Sequence, residues 1–123
     1  MWRVQTTSEF DGWFGGLEED AQVEVIAKVE LLKRLGPNLR RPHAETLNAS
    51  KHANMKELRA DTANQVLRIA FAFDPDRAAI LLVAGDKSGV GPRRFYQQLI
   101  AKADRLYDAH LAKLAITKKE RER

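Results

Sequence analysis

The sequence predicts an α+β domain: an N-terminal strand, two helices, a three-stranded antiparallel meander and a C-terminal helix. Three observations carry this. Apolar residues recur with a helical period up to Gly36-Pro37, alternate with a period of two from Met55, and return to the helical period after Pro92. Two turn signals, Asp61-Thr62-Ala63-Asn64 and Asp74-Pro75-Asp76-Arg77, divide the alternating stretch into three strands. No cysteine is present, so neither disulfides nor thiolate metal sites enter the fold.

Each element follows from its residues. Trp2 to Thr6 alternates as a short strand. Ser8 is the expected N-cap of the first helix, with Asp11 three residues on as a variant capping box. Phe10, Trp13, Phe14 and Leu17 fall on one face, and Gly15-Gly16 breaks the run. Glu18-Glu19-Asp20 suits the first turn of a second helix, where carboxylates meet the positive dipole end. Ala21, Val25, Val29 and Leu32 form its apolar stripe, and Gly36-Pro37 stops it. Thr46-Leu47-Asn48 is a candidate short strand.

The meander strands are expected at about 54–60, 65–73 and 78–86. In the middle one, Leu67, Ile69, Phe71 and Phe73 share the core side, and Val66, Arg68, Ala70 and Ala72 the other. The turns as read place Glu57 opposite Arg68, Phe71 opposite Ile80 and Ile69 opposite Leu82. Glu57, Arg59, Arg68 and Lys87 then face away from the core, over a shallow concavity left by the alanines rather than a second packed layer. The last helix is expected from Arg93 to Leu114. Residues 1–115 form one domain, and the charged residues 116–123 a tail expected to fray from Lys118.

The charge is uneven. The net charge is +4, but residues 1–35 hold four Lys/Arg against seven Asp/Glu, so the rest of the chain carries the positive excess. A basic remainder suits a polyanion-facing side. The N-terminus lacks the apolar core of a signal peptide, and no apolar run nears the roughly 20 residues of a membrane span. The expected localisation is cytoplasmic, with no membrane partner.

Strand positions given to Arg and Lys suggest a phosphate-binding role. Arg68 suits the cationic role because its fork pairs with phosphate oxygens. Lys87 ends a strand in the Gly-flanked stretch Gly85-Asp86-Lys87-Ser88-Gly89 and can approach a phosphate closely. Tyr96 is a proton donor or a stacking platform. The plain structural alternatives are a Glu57–Arg68 cross-strand ion pair, a solvated Arg59 and a helix-packing Tyr96. His43, His52 and His110 lack ligand spacing, so neither metal nor cofactor is expected.

The order of elements resembles the RelE/ParE toxin superfamily of bacterial type II toxin–antitoxin systems. Gly36-Pro37, Arg41-Pro42-His43, Asn54-Met55-Lys56-Glu57-Leu58-Arg59, Ala72-Phe73-Asp74-Pro75-Asp76-Arg77, Gly85-Asp86-Lys87-Ser88-Gly89, Phe95-Tyr96 and Ala103 to Leu111 sharpen the resemblance toward its HigB-like, phage-derived branch. It implies a ribosome-dependent, metal-independent mRNA endonuclease that inhibits translation. RNA cleavage by its own 2′-hydroxyl needs a base, an acid and cations for the phosphorane charge. With that reaction implied, Arg68, Lys87 and Tyr96 are the candidate catalytic residues, and Lys56, Arg59, Arg93 and Arg94 the candidate RNA contacts. It also implies the ribosome, mRNA and a cognate helix-turn-helix antitoxin as partners. In some HigB members a His near the start of the C-terminal segment acts in catalysis; this chain has Arg93-Arg94-Phe95-Tyr96 there instead. The alternatives are a ParE-like gyrase-inhibiting toxin and a non-catalytic RNA- or antitoxin-binding module.

Overall fold

The computed structural model describes residues 1–122. Strand β1 (Arg3–Thr6) leads into α1 (Ser8–Gly15) and α2 (Glu19–Leu35), followed by a 3-10 turn (Gly36–Asn38). Strands β2 (Ala44–Thr46), β3 (Met55–Asp61), β4 (Val66–Phe73) and β5 (Ala78–Asp86) follow, and α3 (Pro92–Arg121) ends the fold. The sheet order is β1-β5-β4-β3-β2, with β1 parallel to β5 and every other pair antiparallel. Among the described residues no helix is long and apolar enough to cross a membrane.

The N-cap of α1 is Thr7 rather than Ser8: the Thr7 hydroxyl accepts from the Phe10 amide at 3.0 Å and donates to the Leu82 carbonyl at 2.5 Å. Thr7 wins because it alone can cap the helix and tie it to β5. Gly36 ends α2 at φ 53°, and a Cβ there would lie 2.3 Å from the Trp2 indole nitrogen, so only glycine fits. The short strand before the meander lies at Ala44–Thr46, two residues earlier than expected, paired with Lys56–Leu58.

Both hairpin registers differ from expectation. The first turn starts at Thr62, whose hydroxyl accepts from the amides of Asn64 and Gln65, so Arg59 lies opposite Arg68 and Glu57 opposite Ala70. That shift of two residues leaves every face unchanged. The second loop has three residues, Pro75-Asp76-Arg77, with Arg77 at φ 64°. Phe71 therefore faces Leu81, and Ile80 and Leu82 turn to the opposite side of the sheet. A bulge between Ala70 and Phe71 shifts the register once more. The two single-residue shifts cancel in parity, so Gly85 and Lys87 return to the face of Arg68.

That face is a packed layer, which corrects the expected concavity. Phe95, Leu99, Ile100, Ala103 and Tyr107 of α3 cover Ala70, Ala72, Ile80 and Leu82, while α1 and α2 cover Leu67, Ile69, Phe71 and Leu81. The alanines are small because a helix lies on them. Helix α3 continues to Arg121, so residues 118–121 are exposed helix rather than frayed chain; Arg123 lies outside the described residues. Lys118, Lys119 and Arg121 sit in its last turn, where cations complement the dipole.

Candidate functional site

The site lies where β3, β4 and β5 emerge from beneath the first turns of α3. Arg59 and Arg68 are direct cross-strand partners on the α3 face. Like charges so placed repel, and carboxylates must offset them. Glu57, one pleat along β3 on the same face, is the central one. It is 3% exposed, and its Oε2 accepts from Arg59 Nε at 3.2 Å and Nη2 at 3.0 Å. Its Oε1 accepts from the Tyr96 hydroxyl at 2.7 Å and lies 3.7 Å from Arg68 Nε. Glu45 of β2 forms ion pairs with Arg59 and Arg41, and Asp61 at the end of β3 accepts from Arg68 Nη1 at 2.6 Å. These bonds fix both guanidiniums.

Lys87 completes the cluster. Its amide donates to the Val66 carbonyl at 2.8 Å, which extends the ladder past β5. Asp86 accepts from the Val66 amide at 3.0 Å and the Ser88 amide at 2.9 Å, pinning the loop. Burial alone raises the Asp86 carboxyl, but the bonds from Ser88, Val66 and Gln65 outweigh it and hold the group below the usual carboxylate range. The Lys87 ammonium stands 5.5 Å from the centre of the Tyr96 ring, within cation–π reach. Gly85, opposite Arg68, has no side chain because the Phe95 ring would lie 3.1 Å from its Cβ.

Tyr96 is raised above the usual phenol range, first by burial and then by its bond to Glu57. Arg68 opposes this without reversing it. The phenol therefore stays protonated and donates to Glu57 at neutral pH. Burial pulls Arg59 down, but the hydrogen bonds and charge of Glu57 more than reverse this. Glu45 is lowered, mainly by its hydrogen bond from Arg41.

The structure brings together Arg68, Lys87 and Tyr96, with Arg59 beside them. It separates Lys56 from them. Lys56 pairs with Phe71 and so shares the α1/α2 face of the sheet, a consequence of strand alternation that the residue's nearness to Glu57 in sequence conceals. Arg93 and Arg94 are exposed in the first turn of α3 and carry no ion pair among the described residues, so their charge is open to a ligand. The ion-pair alternative holds as well, since Glu57 does pair with Arg68. Arg68 is not solvent-facing: its side chain is 8% exposed.

Sequence reasoning missed Glu57 as the hub and Asp61 as a partner of Arg68. A signal was present: Glu57 alternates with buried Met55 on a face that α3 covers, and an acid in such a row needs cationic partners. All three histidines are engaged elsewhere. His43 Nδ1 lies 2.9 Å from Lys28 Nζ, His52 Nε2 is 2.8 Å from Asp108, and His110 Nε2 is 2.8 Å from the buried Asp74.

Comparison with known proteins agrees with this architecture. Residues 12–108 match the family described as Phage derived protein Gp49-like (DUF891). The chain is 41% identical over 110 residues to a Mycobacterium tuberculosis protein named as toxin HigB2, with 89% of this chain and 54% of that protein covered. It is 43% identical over 104 residues to that organism's protein named as toxin HigB3, with 85% of this chain and 89% of that protein covered. The chain thus spans about half of the first relative and most of the second. Among solved structures, a mutant of the Escherichia coli toxin RelE in the free state superposes with a TM-score of 0.59 at 7% identity, covering 82% of this chain and 95% of that one. A chain of the archaeal RelE–RelB complex from Pyrococcus horikoshii superposes with a TM-score of 0.55 at 13% identity, covering 72% of this chain and 98% of that one. The chain therefore belongs to the Gp49-like family, in the HigB branch, and its fold is that of RelE.

Proposed function

We infer that this chain is the toxin of a type II toxin–antitoxin pair and that it cleaves mRNA on the ribosome without a metal, in the cytoplasm. The observation that carries this is the Tyr96 hydroxyl donating to a buried, doubly Arg-flanked Glu57 carboxylate beside Lys87. A proton acceptor, a proton donor and fixed cations stand together, as transesterification by a 2′-hydroxyl requires.

Glu57 is too buried to meet RNA directly, so it acts through Tyr96. The 2′-oxygen attacks phosphorus while its proton passes to the Tyr96 oxygen, and the phenol proton passes to Glu57. A raised phenol pKa suits such a relay, because a free phenolate is never needed. As the P–O5′ bond breaks, the Lys87 ammonium gives its proton to the leaving oxygen. Products are a 2′,3′-cyclic phosphate and a 5′-hydroxyl, and solvent returns the protons. Arg68 and Arg59 oppose the phosphorane charge, and Arg93 and Arg94 bind the flanking backbone. A cluster with so few outward cations holds RNA weakly alone, which supports dependence on the ribosome. The relatives' names and the RelE–RelB complex support a proteinaceous antitoxin as partner.

The test is induction in a bacterial host with mapping of transcript 5′ ends. Translation-coupled cuts that vanish in Tyr96→Phe support the reading. A DNA-damage response with intact mRNA, as a gyrase poison would give, or no toxicity at all, overturns it.

A further inference from the structure

We propose that the Nη edge of Arg68 is a phosphate seat that the Asp61 carboxylate fills in the free protein and vacates on RNA binding. This rests on the reading of the cluster as an RNA site. The two partners differ sharply in burial: the Arg68 side chain is 8% exposed and that of Asp61 is 55% exposed. The guanidinium is therefore fixed and the carboxylate is the movable half. Arg68 Nη1 also donates to the Leu67 carbonyl at 2.9 Å, which keeps the guanidinium in place when Asp61 leaves. Arg68 Nε, on the other edge, faces the buried Glu57 carboxylate, with Oε1 at 3.7 Å. The Nη edge, paired with the exposed Asp61, is therefore the one open to exchange.

Asp61 can move cheaply. It is the last residue of β3, and the turn after it is held by Thr62 rather than by its own side chain. Carboxylate and phosphate present the same pair of oxygens to a guanidinium. The seat lies one strand from Lys87, because Asp61 is the register partner of Val66, whose carbonyl accepts from the Lys87 amide. With its carboxylate half exposed to solvent, the pair is screened and holds Asp61 only weakly. A phosphate reaching Arg68 with Lys87 at hand therefore displaces the carboxylate.

The test titrates inorganic phosphate into the free protein at low salt and follows the Arg68 Nε–Hε signal by NMR. In the wild type this signal shifts saturably. Asp61→Asn should tighten phosphate binding about two- to fivefold, the range of a pair screened at its carboxylate end. Asp61→Ser, which also lacks the charge, should match it, and Asp61→Glu should bind as the wild type does. Glu30→Gln removes the same single charge at a surface pair with Lys33, outside the cluster, and should leave phosphate affinity nearly unchanged. Unchanged or weaker binding in Asp61→Asn, or equal tightening in Glu30→Gln, would overturn the seat. Because phosphate binding is read without RNA, a protein that binds as described but never cuts RNA retires the nuclease alone. One that cuts RNA with Asp61 indifferent retires the seat alone.

Discussion

Replacing Glu57 by Gln removes one charge from a buried carboxylate and changes almost no volume. The wild-type group accepts two bonds from Arg59 and one from Tyr96 and stands 3.7 Å from Arg68 Nε. Hydrogen bonds to a charged group contribute about 1.5–3 kcal/mol and neutral ones about 0.5–1.5, so each of the three bonds loses roughly 1 kcal/mol. The partly exposed Arg59 end is screened, which lowers the total to about 2–3 kcal/mol. At an unfolding entropy near 2.1 cal/mol/K per residue, a domain of this size loses about 4 °C per kcal/mol, so the thermal midpoint should fall by about 8–12 °C. Glu57→Ala should fall further, by about 3–5 kcal/mol, because two guanidiniums keep their burial without the carboxylate. Tyr96→Phe removes one bond, and in the Glu57→Gln background its cost should shrink, since the two residues share that bond. The assay is thermal or urea unfolding of the four proteins of the cycle. A Glu57→Gln midpoint within about 2 °C of wild type, or strictly additive effects, would refute the hub.

Three further outcomes follow. Gly36→Ala should lose about 2–4 kcal/mol of stability by urea unfolding, because the backbone sits at φ 53° and the new Cβ meets the Trp2 indole. A loss under about 0.5 kcal/mol would contradict this packing. Tyr96 has a folded pKa raised above the unfolded value near 10, so its contribution is complete below about pH 10 and is lost as pH rises through the folded pKa. Absorbance titration at alkaline pH should therefore show a late-ionising phase, and Tyr96→Phe should diminish it. Cleavage on intact ribosomes should survive chelation of trace transition metals, because the proposed proton path runs through Glu57, Tyr96 and Lys87; rescue of a chelated, inactive protein by stoichiometric zinc or manganese would contradict the mechanism.

The fold was legible where local chemistry decides it. The helical stripe of α2, its Gly36 stop, the three meander strands and the faces of β4 all follow from period and turn residues. Registers were less legible, because they depend on which residue starts a turn. Thr62 displaces Asp61 from the first turn through its own hydroxyl bonds, and Arg77 adds a left-handed residue to the second. The layer formed by α3 was hidden because Ala70 and Ala72 read as empty space, whereas they are the floor on which Phe95, Leu99 and Ala103 rest. Arg68, Lys87 and Tyr96 could be named from sequence because charge in a strand and a Gly-flanked lysine are local signals. From sequence Glu57 showed only as a possible partner of Arg68, and Asp61 only as a turn residue, since their full roles come from neighbouring strands and α3; Lys56, named as an RNA contact, lies on the opposite side of the sheet from the cluster.

The most direct measurement uses purified protein, ribosomes carrying a defined mRNA, and chemical analysis of the cut ends. The account predicts cuts in ribosome-bound mRNA and little in the free transcript. The ends should be a 2′,3′-cyclic phosphate and a 5′-hydroxyl, and Tyr96→Phe should cut far more slowly while remaining folded. Uncut mRNA, efficient cutting of naked RNA, or ends bearing a 5′-phosphate would contradict it.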